Sequence, residues 1–264
     1  MDIAAPTPEP TAHTVRRDRV RAGYALLGAA GLVLGIWLAW LGAWLLGWNV
    51  DDLGVRPRDL HGLVGILTAP FAHASFEHLM SNTLPLGLLA SMALYAYPRA
   101  TRYALPLIWL VSGAGVWLWA RTSVHVGISG VVYGLAFFLF FIGLLRRDRL
   151  GTAISLLTFF LYGGMVLTVL PRDPDVSFEY HLFGALAGVV AAFWLRQRDP
   201  APPRKRYSWE EEEEAAALVT GDDELEPPSP DQVPVLWEGP RRRASGGDNV
   251  IRFPAGGRDR PTLH

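Results

Sequence analysis

The sequence predicts an all-α membrane protein: a six-transmembrane-helix bundle with disordered polar tails. Three observations predict it. Half of the 264 residues are hydrophobic and only 19% are charged, which is too oily for an ordinary soluble domain of this length. No Asp, Glu, Lys or Arg occurs in 22–50, 79–98, 103–120, 122–145 or 150–169, and 181–195 is a shorter run of the same kind. Lys and Arg also alternate across these runs: counted through residue 206, fourteen fall in the segments that would lie inside and four in those outside if the N-terminus is inside.

Taken in order, residues 1–21 are a polar tail ending in the anchor RRDRVR, residues 22–196 hold the six spans, and 197–264 form a second tail. About 20 apolar residues cross a bilayer as a helix, so five runs are long enough and the sixth is marginal. The first run is about twice the apolar core of a cleaved signal peptide and is expected to stay as a helix. Its Trp37, Trp40, Trp44 and Trp48 form a packing or lipid-facing stripe. The loop 48–77 contains LHGLVGILTAPFAH, too short to span and expected to lie in the interface or re-enter. From about residue 199 the composition turns to Pro, Gly, Arg and Glu, with WEEEEE and PRRRASGG, and predicts disorder or transient helix around 208–219. No internal repeat is visible. The absence of cysteine excludes disulfides, Fe–S clusters, thiolate zinc sites and a cysteine nucleophile. An Arg-rich, Lys-poor chain with no transit peptide fits a bacterial plasma membrane, and the Arg and Lys distribution puts both termini in the cytoplasm.

Strongly polar side chains are few in the spans, and they cluster at one depth. The second helix carries His78 and Asn82, the fourth starts near Ser129, and the sixth starts at His181. Measured from the cytoplasmic ends at 1.5 Å per residue, Ser129, His181 and Asn82 lie roughly 25, 22 and 24 Å up a hydrocarbon core of about 30 Å. His78 is one turn from Asn82 on the same helical face. A serine hydroxyl needs a base to take its proton, and neutral histidine is the usual one, so Ser129 and His181 are candidates for that pair. A helix start near Ser129 offers free backbone N–H groups to a developing oxyanion, and the His78 and Asn82 side chains are further donors. Gly127 and Gly130 permit close approach, while Gly130, Gly134, Gly184 and Gly188 set G-x-x-x-G spacings for packing the fourth helix on the sixth. Taken singly, each element is more often structural. Their coincidence at one depth is what points to chemistry. His61, His73 and His125 are expected to be structural or interfacial.

These residues make the chain resemble the rhomboid intramembrane serine proteases. HASFEHLMSN (73–82) is similar to the family's H-x-x-x-x-H-x-x-x-N, GISG (127–130) to G-x-S-G, and HLFGALAG (181–188) to H-x-x-G-x-x-x-G. The resemblance implies Ser129 as nucleophile and His181 as its base, without an acidic third member. It implies His78, Asn82 and the Ser129 N–H as the oxyanion site, Tyr133 packed against His181, and His73 in support. It further implies single-pass membrane protein substrates within the lipid bilayer, cut near or within the span, with no cofactor, no metal and no nucleic acid. Two departures stand out: the first outer loop lacks the family's Trp-Arg pair, and Tyr180 stands where a small residue is usual before the histidine. A transporter or channel is disfavoured because no run contains a carboxylate or arginine. The alternative within the family is a catalytically inactive rhomboid-like binding or quality-control protein for membrane proteins, a class that commonly lacks the serine or the histidine.

Overall fold

The computed structural model describes residues 12–171, 176–200, 209, 210, 212 and 213. The chain divides into two compact units, 1–205 and 206–264. The four described residues of the second unit, Trp209, Glu210, Glu212 and Glu213, are helical, and the rest of the expected disordered tail lies outside the described residues.

The described residues of the first unit form helices and 3-10 turns joined by short loops, with no strand among them. Helix α1 (Ala12–Leu46) is 35 residues long, far more than a bilayer requires. Residues 12–21, expected in the N-terminal tail, continue the helix. Arg21 anchors that turn, donating to the Ala96 carbonyl at 3.0 Å and lying over the Tyr95 ring. Of the tryptophan stripe, Trp37 donates to Thr83 Oγ1 at 3.0 Å and packs with Trp40 on Phe76, while Trp44 and Trp48 are exposed.

The stretch 60–73 does not span. It folds into 3-10 turns and the four-residue helix α2 (Gly65–Thr68). Indole N–H groups pin it to the bundle: Trp109 donates to the Ile66 carbonyl at 3.1 Å, and Trp117 to that of Asp59 at 2.8 Å. Then follow α3 (Phe76–Ala96), α4 (Pro98–Trp119), α5 (Ser129–Arg146), α6 (Arg149–Tyr162) and α7 (Phe178–Leu195), with a 3-10 turn, Gly163–Thr168, prolonging α6. Among the described residues, five helices are long and apolar enough to cross a membrane: α1, α3, α5, α6 with its prolongation, and α7. Helix α4 has 22 residues, but Arg99, Arg102, two prolines, Ser112 and several Gly and Trp residues dilute its hydropathy. Helix α5 is the hub, touching α3, α4, α6 and α7. Its Leu135, Phe138, Leu139 and Ile142 are fully buried.

At the end of the bundle opposite Ser129, the packed unit runs past residue 196. Tyr97 gives α4 no side-chain cap. The buried Asp199 carboxylate supplies one, accepting from the N–H groups of Arg99 at 3.0 Å and Ala100 at 2.9 Å. Arg146 pairs with Asp148 at 3.0 Å and donates to the Asp199 carbonyl at 2.8 Å. The expected boundary at 196 thus falls short, because composition flips before these contacts end.

Candidate active site

Ser129 is the first residue of α5. Ile128 precedes it and offers no side-chain cap. The Ile128 carbonyl accepts from Val131 and Val132, so among the described residues the N–H groups of Ser129 and Gly130 have no acceptor. That is the donor arrangement an oxyanion needs, at the end of a helix whose dipole favours negative charge. Gly127 sets the approach. Its φ of +108° suits only glycine, and a Cβ there would stand 2.7 Å from the His78 ring. The His78 imidazole therefore lies against the segment that leads into Ser129.

His181 belongs to the first turn of α7. Its Nδ1 is 3.0 Å from the Thr168 carbonyl, which can only accept, so Nδ1 carries the proton and Nε2 presents a lone pair. The ring stacks on Tyr133 with centroids 3.8 Å apart and planes within 4°. The Tyr133 hydroxyl bonds Thr168 Oγ1, which in turn donates to the Met165 carbonyl at 2.9 Å. Thr168 thus fixes His181 through its backbone and Tyr133 through its side chain.

Glycines bring the two halves together. A Cβ on Gly130, the residue after Ser129, would stand 2.3 Å from the Tyr180 ring, next to His181. A Cβ on Gly184, one turn past His181, would stand 2.0 Å from the Gly130 carbonyl. One on Gly188 would stand 2.1 Å from that of Gly134. The backbones of α5 and α7 touch here, as small residues at a membrane-helix seam permit. Tyr180 is fully buried in a cluster with Val55, Ala69, Val116 and Ala120, so its size is absorbed by Gly130 and by the first loop.

Asn82 is buried on α3, and its amide donates to the His78 carbonyl at 2.9 Å, which leaves one amide hydrogen uncommitted. His73 is 1% exposed and meets the His78 ring edge-on at 5.1 Å. Burial, and then the neighbouring His78, push His73 down to about 4, so it is neutral. His61 is exposed beside Asp59, at 3.3 Å. His125 is buried and bonded on both ring nitrogens. No cluster of His, Asp and Glu suited to a metal occurs among the described residues.

A family model described as the Rhomboid domain matches residues 60–198, more than half of the chain. The chain belongs to the rhomboid family. Relatives of similar sequence carry no named activity. An uncharacterized protein of Mycobacterium tuberculosis (strain H37Rv) is 36% identical over 218 residues, covering 78% of this chain and 88% of its own. An uncharacterized protein of Mycobacterium bovis matches to the same extent. One of Mycobacterium leprae is 34% identical over 172 residues, covering 62% of this chain and 66% of its own. The rhomboid family consists generally of intramembrane serine proteases, and the apolar helices make this rhomboid a multi-pass membrane protein.

Sequence reasoning missed Thr168, because a backbone carbonyl at the end of a 3-10 turn leaves no motif. His125, expected to be structural or interfacial, is buried and bonded to Ser177 before α7. Its place four residues before Ser129 was the signal at hand.

Proposed function

We propose that the protein is an intramembrane serine endopeptidase that cuts transmembrane segments of single-pass membrane proteins. The observation that carries this reading is the state of His181: Nδ1–H is committed to Thr168, so the free lone pair is on Nε2, on a helix whose backbone touches α5 beside Ser129. In this reading Nε2 takes the Ser129 proton as Oγ attacks the substrate carbonyl carbon. The oxyanion is met by the Ser129 N–H, the His78 ring and the spare Asn82 hydrogen. The Thr168 carbonyl and the Tyr133 face hold the imidazolium, which then protonates the leaving amine as the peptide bond breaks. Water, deprotonated by the same nitrogen, releases the acyl group from Ser129. Catalysis rests on these residues without a cofactor.

The Arg and Lys distribution supports a bacterial plasma membrane protein with both termini cytoplasmic, α4 as the sixth span and the site near the outer face. Substrate spans that unwind easily, those with Gly or Pro, suit such a site. The inactive-relative reading is disfavoured by the presence of both Ser129 and His181.

The test is cleavage of a reporter with a single transmembrane segment. Ser129→Ala, His181→Ala and the double mutant should all be inactive to a similar degree while folding normally, since members of a catalytic unit fail together. Full activity in either single mutant would end the reading.

A further inference from the structure

His125 stands four residues before Ser129, and Ser177 four before His181. Their side chains meet, with His125 Nδ1 2.6 Å from Ser177 Oγ. The other ring nitrogen is 3.2 Å from the Arg121 carbonyl and 3.1 Å from Ser123 Oγ. Because a carbonyl only accepts, Nε2 carries the proton and Nδ1 offers its lone pair. Ser177 then donates its hydroxyl proton to Nδ1, while its oxygen accepts from the Tyr180 N–H at 3.3 Å and caps α7. Burial pushes the His125 pKa below its usual value and keeps the ring neutral, as this pattern requires.

We propose that His125 is a positioning residue: its bond to Ser177 clasps the segment that delivers Ser129 to the helix start that delivers His181, and so sets how closely the two meet. The proposal rests on the serine-protease reading above. The backbone around His125 is tied elsewhere. Its N–H and carbonyl pair with Val55 at 3.0 and 2.9 Å, and the Gly127 N–H donates to Ala69 at 2.9 Å. These bonds fix the segment to the first loop, and the imidazole adds the side-chain hydrogen bond from 125–128 to the start of α7. Arg121 also ties this region to the start of α7, donating to the Val176 carbonyl at 2.7 Å and pairing with Glu179 at 3.4 Å, but it joins the chain eight residues before Ser129. Each partner of the clasp is four residues of chain from its half of the dyad, so losing it displaces the reacting atoms more than it unfolds the bundle. Small displacements matter, since misplacement by 1 Å can cost about 10²-fold in rate.

Two substitutions separate the clasp from the bond within the loop. His125→Asn puts an amide oxygen where Nδ1 stands and keeps an acceptor for Ser177. His125→Gln reaches the Nε2 position and keeps the bond to Arg121 while dropping the one to Ser177. In the full chain in detergent micelles, His125→Gln and Ser177→Ala should each lower kcat for reporter cleavage by roughly 10- to 100-fold, with KM and melting temperature little changed. His125→Asn should retain activity to within about threefold, and the His125→Gln/Ser177→Ala double mutant should be no slower than either single one. Wild-type kcat in folded His125→Gln, or losses that multiply in the double mutant, would overturn the clasp. If the variants fail to fold, ¹⁵N-histidine NMR of the wild type decides: a bare Nδ1 with protonated Nε2 supports it, and an Nδ1–H or rapidly exchanging ring rejects it. Ser129→Ala separates the two claims. Cleavage by Ser129→Ala would mean that the protease reading has failed, whereas an inactive Ser129→Ala beside a fully active His125→Gln rejects the clasp alone.

Discussion

Along α5, the face turned to α7 and the face turned to α6 are packed in opposite ways. Towards α7, Gly130 and Gly134 meet Gly184 and Gly188 backbone to backbone, with no room for a methyl group. Towards α6, the contact is tight only at the end opposite Ser129, where Gly143 abuts Gly151 and Ser155 donates to the Phe140 carbonyl at 2.7 Å. Nearer the site it opens into a cavity of about 220 Å³ lined by Ala136, Phe137, Phe140, Phe159, Tyr162 and Val166 among others. The tight seam holds Ser129 and His181 in register. The loose one leads to Thr168, whose carbonyl bonds His181 Nδ1, so packing is weakest on the side of α5 that faces this contact.

Breaking the tight seam should have the largest effect. In Gly184→Leu the new Cβ would meet the Gly130 carbonyl, and backbone cannot rotate away as a side chain can. A loss of about 3 kcal/mol or more is expected, at or above the usual range for overpacking. On the loose side, a Cβ at Gly163 would stand 3.4 Å from the Phe159 ring, an ordinary contact. Gly163→Ala should change stability by less than about 1 kcal/mol. Melting temperatures in one detergent compare them, and equal losses would erase the distinction between the two seams.

The next effect lies beside the tight seam and is read with pH. His73 is held at about 4, against an ordinary 6.5, by burial and by His78. On acidification the unfolded chain takes up a proton near 6.5 while the folded protein refuses it until about 4. The stability present above 6.5 is therefore lost as pH falls through that window, on the order of 3 kcal/mol. His73→Gln should flatten the melting temperature across it. An unchanged slope would place the titration at another group.

The smallest effect should come from the loose seam. Thr158 is buried there, and its hydroxyl has no partner. Thr158→Val keeps the shape and removes the unpaired group, so stability should hold or rise by up to about 1 kcal/mol. A clear drop in melting temperature would mean that the hydroxyl is bonded and the seam tighter than drawn.

What was legible in the sequence was whatever repeats locally. Uncharged runs marked the five helices long and apolar enough to cross a membrane among the described residues, and glycines at intervals of four gave the α5–α7 seam before any contact was visible. GISG and HLFGALAG placed Ser129 and His181 at helix starts because such starts depend on their immediate neighbours. The partners of His181 and His125 were not legible. The Thr168 carbonyl and the Ser177 hydroxyl act only once distant segments are brought together, and either residue alone reads as an ordinary loop polar group. The Asp199 cap on α4 was hidden for the same reason, its helix being 99 residues away in sequence. The extension of α1 back to Ala12 was not legible, because charged residues mark where a span leaves lipid but carry no signal for where its helix begins.

The pairing of Ser129 with His181 is tested most directly by covalent labelling. The purified protein is treated with a fluorophosphonate, digested, and the adduct located by mass spectrometry. A single adduct on the peptide containing Ser129, absent in Ser129→Ala and reduced by about 10³-fold or more in rate in His181→Ala, is the expected result, since the serine is a weak nucleophile without its base. An adduct at another serine, or labelling of Ser129 at full rate without His181, would contradict it.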